Sequence, residues 1–308
     1  MLKFNGSLLP FVILCVYKEI INPNHQPMNI RYYEFPPAPH LAPHVECYWV
    51  QEFDGEPAEE SPVQRCVPLG MLEVLIHPDT NICDILLDDV WEPLPRAFFH
   101  GIYSKPVYYK MKGKARIFGI RFKPETFSML FNVPAASFYC NFVALEAFFG
   151  KEIQDLHLPL YGMDNEGIVA HCNLFLSGRL EQMKFRHHYI TRAADMIRRS
   201  KGNISIGEVS NSIAVSMRQL QRGFKESMGT SPKGYLRIIR FRNALTALED
   251  VHRWADITYA LGYADQAHFI REFKEFSGEA PNGVIRHAEC FLKKPLALTD
   301  QIFFNEAV

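Results

Sequence analysis

"DQAHFIREFKEFSGEAP" (Asp265 to Pro281) restates "MRQLQRGFKESMGTSP" (Met217 to Pro232). Leu220, Arg222, Phe224, Lys225, Glu226, Gly229 and Pro232 return as Phe269, Arg271, Phe273, Lys274, Glu275, Gly278 and Pro281, each 49 residues further on. Six of the seven pairs are identical, which a chance match of one Arg or Phe does not explain. The preceding segments, "EVSNSIAVS" (Glu208 to Ser216) and "DITYALGYA" (Asp256 to Ala264), align at an offset of 48. Each unit is therefore two short helical patterns joined by a tight turn, and the unit is used twice.

On a helical wheel, Leu220 and Phe224 face inward, while Arg218, Gln221, Arg222 and Lys225 share the other face. In the second copy Phe269, Phe273 and Phe276 face inward, with Gln266, Ala267, Ile270, Arg271 and Lys274 outward and His268 near the helix start. A ridge of Arg, Gln and Lys on a rigid aromatic back suits the major groove. Arg pairs with guanine O6/N7, Gln with adenine N6/N7, and Lys neutralises phosphate. Ala267 and Ile270 depart from polar choices and suit either a thymine methyl or a backbone grip. For Arg222 and Arg271 the structural alternative is an ion pair with a neighbouring helix. Gly262 falls where the second turn needs positive φ; the first copy has Ala214 there, so that turn is built differently or carries strain.

The surroundings agree with this reading. Ser205, with Glu208 three residues later, predicts a capping box; Ser216 predicts a cap, Gly229 a stop, and Pro232 the start of a long amphipathic helix. "HYITRAADMIRRS" forms a helix ahead of them, stopped at Gly202. Residues 186–290 carry 16 Lys/Arg and 11 Asp/Glu, net +5, whereas residues 1–185 carry 15 and 21, net −6. The basic part is therefore the part that repeats, which points to a polyanion partner.

These motifs, "SMRQLQRGFKESMGTSPKGYLRIIRFRNA" and "ITYALGYADQAHFIREFKEFSGEAP", resemble the DNA-binding domain of AraC/XylS-type transcriptional regulators, over about His188 to Arg286. The resemblance implies two helix-turn-helix units joined by a long helix, each recognition helix entering a successive major-groove segment about one turn (~34 Å) apart. It implies Arg218, Gln221, Arg222, Gln266, Ala267, Ile270 and Arg271 as base readers, with Leu220, Phe224, Ile257, Leu261, Phe269, Phe273 and Pro281 as core or turn. Double-stranded promoter DNA, RNA polymerase, a small-molecule effector and a second copy of the chain are the partners implied, with activation ahead of repression.

The front of the chain reads differently. "VECYWVQEF", "MLEVLIH", "ICDILL", "PVYYKMKG" and "ARIFGIRF" are short β-branched or aromatic runs punctuated by Pro, Gly and Asp, as in a sandwich or small barrel. "KPETFSMLFNVP", "NFVALEAFFGKEIQDLH" and "EGIVAHCNLFLSGRLEQM" then follow helical period. "PPAPHLAPHVECYWV", "RCVPLGMLEVLIH" and "GIYSKPVYY" resemble the cupin-like N-terminal domain of some regulators of this kind, implying a sensing or oligomerisation role. Trp49, Glu73, His100, Tyr103 and Arg121 are polar or amphipathic residues within strand-like runs, where an effector pocket could form; for each taken singly, core packing is the alternative.

The expected fold class is α+β in two domains: a cupin-like sensor over 28–183 and an all-α reader over 184–290. A doubtful extension (1–27) and a tail (291–308) flank them. No H-x-H metal pair, Gly-rich phosphate loop or nucleophile elbow occurs, so neither an enzyme nor a cofactor is expected. Seven scattered Cys without C-x-x-C suit a reducing cytoplasm. "LLPFVILCVY" (Leu8 to Tyr17) is shorter than the roughly 20 apolar residues a membrane span needs. The alternative function is an enzyme or ligand carrier whose helical region mediates protein contacts.

Overall fold

The strand β3 (Val45–Asp54) shows how the N-terminal region is layered. Successive side chains of a strand point to opposite faces. Tyr48 and Val50 join a core shared with helices, while Cys47, Trp49 and Phe53 join a core shared with a second sheet. Both faces are covered, so the strand is apolar along most of its length instead of alternating.

The computed structural model describes residues 16–21, 27–133, 135, 142–183, 188–247, 258–288 and 303–306. The remaining strands are β1 (Val16–Ile21), β2 (Pro27–Phe35), β4 (Val63–Cys66), β5 (Leu72–Ile76), β6 (Asp84–Leu87), β7 (Val90–Pro93), β8 (Ala97–His100), β9 (Val107–Lys110), β10 (Lys114–Phe122), β11 (Phe142–Ala144) and β12 (Phe303–Glu306). They form an antiparallel sheet ordered β1-β2-β3-β10-β5-β8-β11 and a second ordered β12-β4-β9-β6-β7. The outer face of the larger sheet is covered by α1 (Pro124–Phe131), α2 (Leu145–Phe149), α3 (Gln154–His157) and α4 (Asn165–Glu181).

One expectation needs correction here, and three further strands were not anticipated. "NFVALEAFFGKEIQDLH" is not one helix. Phe142–Ala144 completes the sheet edge against β8, and Gly150 at φ 56° breaks the remainder into α2, a 3-10 turn and α3. "AFFH" (Ala97 to His100) is a strand that alternation did not predict, because all four residues are buried. The doubtful N-terminal extension contributes β1, paired with β2 from Val16↔Glu34 to Ile21↔Pro27. Within the tail, β12 pairs with β4, Phe303 opposite Cys66.

The C-terminal region is helical: α5 (His188–Arg199), α6 (Ile206–Ser212), α7 (Met217–Met228), α8 (Pro232–Ala247), a helical turn over 258–260, α9 (Gln266–Ser277) and α10 (Pro281–Ala288). Ser205 and Glu208 form the full capping box, and Ser216 accepts the Gln219 amide at 3.2 Å. Leu220, Phe224, Leu261, Phe269, Phe273 and Pro281 are buried, and Ile257 lies outside the described residues. Val67, Leu69, Met71 and Ile102, all from the β region, belong to this helical core. Gly70, at φ 71°, lets that loop in: a Cβ there would come within 3.3 Å of Tyr235 and Ile239.

Candidate nucleic-acid interface and the N-terminal cavity

The turn of each helix-turn-helix unit has the same backbone solution. Ala214 sits at φ 55° and Gly262 at φ 71°, so the first copy adopts the left-handed conformation despite its Cβ. The second helices of the units, α7 and α9, follow, N-capped by Ser216 and Asp265 and ended by Gly229 and Gly278 in the left-handed region.

On α7 the buried face is Leu220, Gly223, Phe224, Ser227 and Met228; Arg218, Gln221, Arg222 and Lys225 are all exposed and form one ridge. Arg222 pairs only loosely with Glu226 of its own helix, at 3.9 Å with both side chains in solvent. Lys225 Nζ donates to the Gly229 carbonyl at 3.0 Å, so its ammonium also serves the helix C-terminus. On α9, Gln266, Ala267, Ile270, Arg271 and Lys274 are exposed. His268 leaves that ridge: it is half-buried, edge-on to Tyr263 at 5.4 Å and 3.9 Å from Glu272. Both His268 and Arg271 line a groove of about 450 Å³ shared with Lys233, Arg237 and Arg240 of α8.

Glu272 was overlooked in the sequence, although the register exposes it: it stands where the first copy has Gly223. Its side chain is 2% exposed and meets Arg237 at 2.6 Å, while Glu275 takes the other arm of Arg237 at 2.6 Å. A buried carboxylate requires such a partner.

The β region grips both units. The Ser128 hydroxyl on α1 donates to the Ser227 carbonyl of α7 at 2.6 Å, and Arg198 of α5 clasps Glu125 with both arms at 2.6 and 3.0 Å. Arg65 on β4 donates to the Ser277 carbonyl at the end of α9 at 3.1 Å and pairs with Glu279 at 2.5 Å. The Ser128 and Arg65 contacts lie at the C-terminal ends of α7 and α9, and the Arg198 pair at the end of α5, away from the exposed ridge residues.

Trp49, Glu73, His100 and Tyr103 line one cavity of about 30 Å³ between the two sheets. Arg121 lies beside it, fully buried, its Nε donating to Glu73 Oε1 at 2.9 Å and its Nη1 3.8 Å from Glu34. His100 is stacked between Tyr103 (4.2 Å) and Phe142 (4.3 Å), and burial pushes its pKa down to about 3. Phe98, Tyr109 and Phe142 complete the aromatic wall and were missed in the sequence; a strand's inward face is visible only once the register is known. Among the described residues no cluster of His, Cys, Asp and Glu could hold a metal ion, and no helix is long and apolar enough to cross a membrane.

Residues 209–287 match the family described as "Helix-turn-helix domain", and residues 33–144 match a "Domain of unknown function (DUF6597)". A curated relative, the "Probable thc operon regulatory protein" of Rhodococcus erythropolis, is 31% identical over 87 residues, 27% of this chain and 26% of that protein. The chain thus matches about a quarter of that relative's length. Similar solved structures include ToxT of Vibrio cholerae (11% identity, 78% of this chain, 97% of that one, TM-score 0.42). Another is the C-terminal domain of AraT, a response regulator of Geobacillus stearothermophilus (27% identity, 32% and 84% covered, TM-score 0.31). Residues 209–287 thus carry a helix-turn-helix domain, set behind a separate N-terminal domain that matches over residues 33–144.

Proposed function

We propose that the protein is a sequence-specific transcriptional regulator, an activator more than a repressor. In this reading it lays α7 and α9 into two successive major-groove segments under control of its N-terminal domain. The supporting observation is duplication: two capped helices, each backed by buried aromatics, each present an exposed Arg/Gln/Lys ridge. The working division is a sensor over 28–183 and a reader over 184–290, with promoter DNA, RNA polymerase, an effector and a second copy as partners in the cytoplasm. No catalytic step is invoked.

Control fits the contacts at the helix ends. Cys66 and Val107, a register pair on β4 and β9, face the cavity; their neighbours Arg65 and Tyr108, also a pair, face the end of α9. A shift of these strands would therefore be felt at the second unit and not through α1 at the first.

Selection of bound sites from random duplex DNA tests the reading. The expected motif has two short blocks centred about 10–10.5 base pairs apart, with affinity falling steeply as salt rises. No motif, with and without cell extract to supply ligand, would favour an enzyme or carrier whose helices mediate protein contacts.

A further inference from the structure

The groove between α8 and α9 carries more positive charge than the fold uses, and the surplus points to a contact within the regulator reading proposed above. Lys233, Arg237 and Arg240 of α8 and Arg271 of α9 line it, against the carboxylates of Glu272 and Glu275. Both carboxylates are engaged. Arg237 meets Glu272 through Nε and Glu275 through Nη2, each at 2.6 Å, and Arg240 stands 3.9 Å from Glu272. Arg240 is fixed further by its Nη1, which donates to the Gly262 carbonyl at 3.2 Å, and by the Tyr263 ring 4.7 Å from its guanidinium. Lys233 and Arg271 are exposed and have no acidic partner among the described residues. Four cations against two carboxylates leave a surplus of two, so an anion entering the groove is attracted.

The repeat explains why Arg271 is free. Its counterpart Arg222 has Glu226 four residues on, 3.9 Å away on the same helix. Arg271 has Glu275 at that spacing, but Arg237 on α8 draws this carboxylate away. The Ser231 hydroxyl, which accepts the Gly234 amide at 3.0 Å, also lines the groove and keeps its proton for a ligand oxygen.

The position of the groove selects the anion. Arg271 also belongs to the exposed ridge of α9, with Gln266, Ala267 and Ile270, so the groove opens on the side that carries the ridge. α8 starts at Pro232, four residues after α7 ends at Met228, which sets Lys233 between α7 and α9 along the chain. Two helices laid in successive major-groove segments on one face of a duplex have a minor groove between them, bordered by backbone phosphates. We propose that the groove between α8 and α9 holds one of those phosphates, with Lys233 and Arg271 as its cations, so that Arg271 grips the DNA backbone instead of reading a base. Arg237 and Arg240, tied to Glu272, are positioning residues that keep the two helices, and with them the two free cations, at a fixed separation.

The test measures binding of the full chain to its selected duplex, with a neutral methylphosphonate replacing one backbone phosphate at a time. For the unmodified protein, one neutral linkage between the two blocks should cost about tenfold in affinity, the scale of a hydrogen bond to a charged group. The same linkage should cost Lys233→Ala and Arg271→Ala less than about twofold, because their contact is already gone. Both replaced side chains are exposed, so the variants keep the fold. Both should keep the base preferences of the unmodified protein, and their affinity deficit should shrink about threefold as salt rises from about 50 to 200 mM. Lys114→Ala, which removes an exposed lysine of β10, should leave both readings unchanged. Neutral linkages that cost the variants as much as the unmodified protein overturn the proposal, as does an altered base preference in Arg271→Ala. Saturable binding of inorganic phosphate by the DNA-free protein, lost in Lys233→Ala, would mark a site for a free anion and overturn it as well. Failure here is distinguishable from failure of the regulator reading. A selected motif with no coupled phosphate sinks only this contact, and a Lys233-dependent salt slope on random duplex without any motif sinks only the base reading.

Discussion

The two helix-turn-helix units share a backbone but are held by opposite means. In the first, α7 lies so close to α5 that position 223 must be glycine; a Cβ there would come within 2.6 Å of Ile190 Cδ1 and of the Tyr189 hydroxyl. In the second, the equivalent position is Glu272, a buried carboxylate reaching across to Arg237 on α8, with Arg240 further off at 3.9 Å. Contact with a neighbouring helix fixes one recognition helix and an ion-pair cluster fixes the other. On the proposed reading, the major groove dictates only the exposed ridge and the angle of the helix. How that angle is secured is free to differ, because either dense packing or a fully paired buried charge can hold a helix.

The largest effect should come from breaking the second anchor. Glu272→Ala leaves Arg237 with Glu275 alone and Arg240 without its carboxylate, and should cost about 3 kcal/mol. Hydrogen exchange should show lost protection in α9 with α7 unchanged; equal loss in both helices would mean that the units are not separately anchored. Gly223→Ala attacks the first anchor by overpacking and should cost about 2 kcal/mol in denaturant unfolding, with loss of protection now confined to α7.

The exposed ridges should respond independently. Gln221→Ala should relax preference at one base pair of one block by about 1.5 kcal/mol, and Gln266→Ala should do so only in the other block. Lys225→Ala should weaken all sequences alike and flatten the salt slope. If both Gln variants alter the same block, the assignment of one helix to each groove segment fails. The smallest change concerns the turns. Ala214→Gly removes left-handed strain at φ 55° against the greater chain entropy of glycine, a net gain of about 0.5 kcal/mol readable as a rise in Tm. Gly262→Ala should go the other way, since it introduces the same strain and drives a Cβ into the Asn203 side chain.

The helical half was legible because its signals are local. Ser205, Ser216, Gly229 and Pro232 mark ends by capping chemistry within one turn, and periodicity names Leu220, Phe224, Phe269 and Phe273 as core. The β half was half legible. Runs such as "ARIFGIRF" announced strands, but β8 and β11 gave no alternation, one being buried throughout and the other only three residues long. Four of the five pocket residues proposed from the sequence share one cavity, yet Tyr109 and Phe142 had no signal of their own, since facing inward depends on which strand lies alongside.

By itself the sequence determined that a capped, aromatic-backed helix with an Arg/Gln ridge occurs twice in a basic region behind an acidic, strand-rich front. Those properties reside in residues a few positions apart, and local hydrogen bonding and periodicity express them directly. Only the tertiary structure decided that Val67, Leu69 and Met71 enter the helical core, that Arg65 holds the end of α9 some two hundred residues away, and that Arg121 meets both Glu73 and Glu34 beside the cavity. The physical reason is that burying apolar surface brings distant segments together without regard to their order. Buried charges then need partners, and those partners are chosen by proximity in the fold, not by spacing in the chain.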